Sequence, residues 1–223
     1  MASRVHTSWI CPVLLGGILA VGLSAQAWAW GSGSGDGWGG SGWDGEEMDR
    51  LRERHRQKVT READKYVQAF EDVKLEETRA ATFLERSEQK ARVDGKGDEV
   101  KAKRLVRLAR HKGMKVLQSI DAKYTRLFAG LQQFKADESD YFTDETKGKV
   151  EVLLVQVKDQ ARSNRERIAD LYVDVDEPIK ALKVLEGIYK SLSLEERDAA
   201  SDLKARIKGL KAQLGIKDDA DGQ

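Results

Sequence analysis

From Glu46 onward apolar residues return every three or four positions, and Pro178 is the only proline in that whole stretch. Such a period buries one stripe of a helix and offers no alternating face to a pleated sheet, so an all-α fold is predicted. Composition agrees: 35% of the 223 residues are charged and 7% aromatic, too polar and too poor in strand formers for a β-sandwich or a doubly wound enzyme.

The first stripe, within Glu46 to Arg92, is Met48, Leu51, His55, Val59, Ala63, Tyr66, Phe70, Val73, Ala80 and Leu84, with Glu77 filling its one gap. Asp94-Gly95-Lys96-Gly97-Asp98 reads as a reversal in which the glycines release one helix and Asp98 caps the next. The second helix, Asp98 to Phe134, carries Leu117, Ile120, Tyr124, Leu127, Leu131 and Phe134 at a three-four spacing and is expected deepest in the core. Helices this long run roughly 50 to 70 Å, so an elongated, coiled-coil-like antiparallel hairpin is expected over residues 46–142.

A helical bundle is expected over residues 143–216. Thr143 caps its first helix, Asp144 and Glu145 meet the positive end of the dipole, and the stripe is Val150, Leu154, Val157, Ala161, Ile168 and Leu171. Asn164 is a polar insert suited to fixing register. Asp174 to Glu177 breaks the pattern before Pro178 opens a short helix to Leu192. The box Ser193-Leu194-Glu195-Glu196 opens a last one to Leu214, and residues 217–223 form a charged tail.

Upstream, Met1 to Ala29 has one positive charge at Arg4, an apolar run from Trp9 to Leu23 and the pattern Ala25-Gln26-Ala27-Trp28-Ala29, which reads as a cleaved secretory signal; an uncleaved anchor is the competing reading. Cys11 lies inside the apolar run, not after a small-residue box, so no lipoprotein is predicted. Cleavage leaves 38 basic and 38 acidic residues and no thiol, a chain held by packing alone in a bacterial periplasm or at the cell surface. Residues 30–45 are glycine and serine with Trp30, Trp38 and Trp43. They read as a tether whose indoles suit a membrane interface or a stacking surface.

Catalytic chemistry has little to draw on, since His55 and His111 are the only histidines after the signal and neither has paired-ligand spacing. His55 sits on the stripe and is expected to pack. Asp218-Asp219-Ala220-Asp221-Gly222 lacks the first ligand and the closing glutamate of a calcium loop. No cofactor and no enzymatic activity are expected. The strongest charge signal is Lys101, Lys103, Arg104, Arg107, Arg110, Lys112 and Lys115, in a window from Lys96 to Lys115 with eight basic and two acidic residues. One reading has this face, lying opposite Leu105, Leu108 and Ala109, solvated and paired with Glu-rich stretches of the first helix such as Glu71, Asp72, Glu76, Glu77 and Glu85. A second has it bind anionic lipid or envelope polymer; nucleic acid ranks last, against export and a neutral total charge.

Residues 164–214 resemble a tetratricopeptide-type repeat. Ile168, Ala169 and Tyr172 match its first helix and Ala181, Leu185 and Ile188 its second, with the family's nine-residue step from Tyr172 to Ala181. The resemblance implies a nested helical pair and partner binding around Tyr172, Ala181, Leu185 and Ile188. The function expected is an exported, non-catalytic interaction or scaffold protein of the bacterial envelope that also self-associates. The alternatives are a periplasmic holdase chaperone or a protein associated with the membrane surface.

Overall fold

A computed structural model describes residues 45–216. The expected signal, Trp30, Trp38 and Trp43, and the tail from residue 217 lie outside the described residues. Within them all regular structure is helical and there is no strand, so the chain is all-α. No described helix is long and apolar enough to cross a membrane.

Helix α1 (Gly45–Asp94) and helix α2 (Glu99–Glu138) form the expected hairpin, and α1 alone is about 75 Å long. Asp98 accepts from the Lys101 amide at 2.9 Å and so caps α2. Gly97 takes the left-handed conformation at φ +90°. Gly95 allows the closest approach, since a Cβ there would stand 2.4 Å from Ala102 Cα.

A 3-10 turn (Ser139–Tyr141) leads to helix α3 (Asp144–Asp174), whose cap is Thr143, accepting from the Thr146 amide at 3.1 Å. Contacts then fix its direction. Glu151 reaches Lys135 and Arg165 reaches Asp121 on α2, while Lys149 reaches Asp64 and Gln160 reaches Glu77 on α1. Thus α3 runs antiparallel to α2 and alongside α1.

One core runs from Val59 and Phe70 on α1, through Leu117, Tyr124 and Leu131 on α2, to Val150, Val157 and Ile168 on α3. This corrects the expected division at residues 142 and 143: the hairpin stripe is wide enough to accept a third helix, and no boundary between bodies falls there. Two further details differ. Leu153 is buried where Leu154 was expected and Leu154 is half-buried, while Met48 and Leu51 are exposed because α1 extends past the end of α2.

Past Asp174 the chain reverses through Asp176, at φ +64°, and helix α4 (Pro178–Ser191) starts with its proline in the first turn. The expected single last helix is two, α5 (Leu194–Ala199) and α6 (Ser201–Gln213). The capping box at Ser193 and the Arg197 guanidinium, donating to the carbonyls of Tyr189 and Lys190, hold α5 across the end of α4. Leu203 and Leu210 must meanwhile face α4, so the axis bends at the buried Ala200. A second core of Ala169, Ala181, Leu185, Ile188, Leu203 and Leu210 results, joined to the first through Tyr172 and Val184.

Candidate functional site

Glu77 stands on the apolar stripe of α1, is 3% exposed, and binds all three long helices together. Its Oε2 accepts from Tyr124 Oη at 2.8 Å and Gln160 Nε2 at 2.9 Å, and its Oε1 accepts from Arg167 Nη1 at 3.3 Å. A buried carboxylate is tolerated only with such donors. Burial, then the hydrogen bond to Glu77, raises the Tyr124 phenol well above its ordinary range, so it stays a proton donor. Asn164, fully buried, donates to the Leu117 carbonyl at 3.0 Å and locks α3 against α2, the register role its position suggested.

The structure places most of the partner-binding residues implied by the repeat resemblance inside the second core. Ala181, Leu185 and Ile188 are almost wholly buried and hold α4 against α3 and α6; of the three only Ile188 reaches a surface groove. Tyr172 alone is accessible, its hydroxyl accepting from Gln118 Nε2 at 2.8 Å and its ring lying under the Lys180 ammonium. His55 packs, as expected, with Nε2 2.7 Å from Glu138 Oε2 and its ring edge-on to Tyr141.

Where α2, α3 and α4 meet, a groove of about 330 Å³ opens. Tyr124, Phe128, Val157, Ala161, Ile188 and Leu192 line its apolar part. Lys158, Arg162 and Arg165 stand on its rim, each already paired: Lys158 with Glu196 at 2.6 Å, Arg162 with Glu166 at 3.0 Å and Arg165 with Asp121 at 2.7 Å. The Lys158 ammonium, followed by the Ser193 amide and hydroxyl, holds the Glu196 carboxyl down at about 2. Sequence reasoning missed this groove. Phe128 lies off every stripe, and that displaced aromatic is the one signal that marked it.

The basic face is divided by the fold. Arg110 is half-buried and ties Glu88 at 3.0 Å and Asp174 at 3.5 Å, and Lys103 pairs with Glu99 at 2.7 Å. Arg107 and His111 lie close enough to Glu177 to help hold its carboxyl below the usual range, behind the larger effect of the Lys180 hydrogen bond. Lys101, Arg104, Lys112 and Lys115 are exposed. The expected pairing with α1 acids is met by Arg110 with Glu88 but not by the acids that were named: Glu76 pairs with Lys123 and Glu77 with Arg167, because the hairpin register brings those groups opposite α2 below the basic window. Leu108, expected on the opposite side, is 49% exposed.

Among the described residues no cluster of histidine, cysteine and carboxylate side chains is arranged to hold a metal ion. Comparison with protein-family models, with curated proteins and with solved structures finds no match.

Proposed function

We propose that the chain is an exported, non-catalytic interaction protein of the bacterial cell envelope that holds a partner protein through the groove between α2, α3 and α4. The observation behind this reading is a groove of about 330 Å³ with an apolar floor under a rim whose cations are already neutralised. A partner side chain entering it covers apolar surface without stripping a free charge of water. The nested end of α3 against α4 is also what the tetratricopeptide resemblance implies, and Met1 to Ala29 supports export. A photo-crosslinking residue at Thr125 or Asp159 on the rim is expected to label one discrete partner, at both positions, and to lose it when Ala161→Trp fills the floor. Equal labelling from a control at Lys204 on α6, or indifference to Ala161→Trp, refutes the assignment.

A holdase reading is favoured by one observation: Val93 and Val100, beside the hairpin turn, are 66% and 80% exposed. Suppression of aggregation of an unrelated unfolding protein, lost in Val93→Ser/Val100→Ser and kept in Ala161→Trp, would shift the function to that end.

A further inference from the structure

The flank of the hairpin marked by the Lys123–Glu76 ion pair carries a second surface. That pair, Arg110–Glu88 and the buried Tyr124–Glu77 bond mark the antiparallel register of α1 and α2, which places Phe83 opposite Val116, one heptad from Glu76 and Lys123 respectively. Both are solvent-facing, Phe83 53% and Val116 40% exposed, and so is Leu108, two turns along α2.

Cations surround these apolar groups. Arg104, Lys112 and Lys115 point away from both neighbouring helices and have no acidic partner among the described residues. Lys90 follows Phe83 at the heptad step and is exposed too. From Val100 to Ile120 α2 contains no acidic residue at all. Of the nearby acids, Glu99 pairs with Lys103, Glu88 and Asp174 with Arg110, and Glu177 with Lys180, which leaves the exposed Asp94 at the end of α1 against this group of cations.

We propose that this face docks on an anionic lipid bilayer surface. Charge complementarity selects a polyanion, and the half-exposed Phe83, Leu108 and Val116 among the cations select one with an apolar layer beneath its charges. A nucleic acid would use a groove that tracks the backbone and several stacking aromatics, whereas this is the outer side of two packed helices with one aromatic ring.

The test is partition of the full chain onto vesicles of phosphatidylcholine alone and with 30% phosphatidylglycerol, read as the ratio of the two so that any apolar segment acting equally on both cancels. The ratio is expected to fall about 100-fold in Arg104→Ala/Lys112→Ala/Lys115→Ala, roughly five-fold per cation, and to collapse between 50 and 500 mM salt as screening sets in. Lys183→Ala/Lys190→Ala/Lys204→Ala, equal in charge but on α4 and α6, and the groove variant Ala161→Trp are expected to keep it. A polarity-sensitive dye on Phe83→Cys (in Cys11→Ser) is expected to shift to the blue on anionic vesicles, and the same dye at Lys204 is not. A ratio near one for the unaltered chain, an equal loss in the α4 and α6 control, no shift at position 83, or tighter binding to duplex DNA than to the anionic vesicles overturns the proposal.

Discussion

Replacing Glu77 by alanine isolates what the buried cluster contributes. Three donors lose their acceptor, but unequally. Tyr124 is fully buried, and its orphaned hydroxyl costs about 1–3 kcal/mol. Gln160 is half-buried and turns partly to water, and Arg167 is 45% exposed and rehydrates, so its ion pair counts for little. The methylenes removed and the space they leave add about 1 kcal/mol. The expected loss is therefore about 3 kcal/mol, or roughly 6–12 °C in Tm for a body of this size.

Urea unfolding followed by helical circular dichroism measures it, and two companions separate the causes. Tyr124→Phe leaves the carboxylate with Gln160 and Arg167 and is expected to cost about 1 kcal/mol. Glu77→Ala/Tyr124→Phe has no orphaned hydroxyl and is expected to be less damaging than the two single changes summed, by about 1–2 kcal/mol. The proton reports the same contact. Burial first, then the hydrogen bond to Glu77, holds the folded phenol above its ordinary value of 10.0, so the stability tied to its protonated form is fully present below that value and is lost as pH rises beyond it. Glu77→Ala should then let Tyr124 ionise earlier in an alkaline absorbance titration. A Glu77→Ala protein within 0.5 kcal/mol of the parent, or strictly additive single changes, refutes the reasoning.

Three further outcomes are expected. Gly95→Ala drives a Cβ into the Ala102 backbone and should cost about 2 kcal/mol in thermal unfolding, whereas Gly148→Ala meets open space and should be neutral or stabilising. The Glu196 carboxyl, held at about 2 against an ordinary 4.5, lends α5 a stability that is present above pH 4.5 and lost as pH falls toward 2; NMR titration should show Lys158→Ala moving it upward. Asn164→Leu removes an amide whose Oδ1 has no protein partner and should leave stability within about 1 kcal/mol of the parent, while Asn164→Asp buries a charge beside the Leu117 carbonyl and should cost more than 3 kcal/mol by chemical denaturation.

Helix positions were legible because each depends on signals a few residues apart. The Gly95-Lys96-Gly97 turn, the Thr143 cap, the Pro178 start and the Ser193 box all form as their sequences indicate. The bend at Ala200 was not legible, since alanine favours a straight helix and only the competing anchors Arg197 and Leu203 force the turn. Asn164 and Glu77 were visible as polar interruptions of apolar stripes. Their partners lie 47 to 90 residues away in the chain, a separation that periodicity does not report.

The same limit governs the surfaces. Helical period tells which residues leave water, not which leftover groups become neighbours. The groove draws Phe128, Ala161 and Ile188 from three helices, and no one stripe holds them. In the basic window a run of cations reads as one face, yet α2 turns 100° per residue and sends Arg110 toward α1 and α3 while Arg104, Lys112 and Lys115 face out. Pairing removes the first from any docking surface and leaves the others charged. Phe83 gains meaning only once the register of the hairpin sets it across from Val116, where an off-stripe aromatic on α1 and a basic stretch of α2 become a single face. A sequence change that slips that register by one turn would leave every local signal intact and still dismantle the face, because its two halves meet only in the alignment that the Lys123–Glu76, Arg110–Glu88 and Tyr124–Glu77 contacts mark.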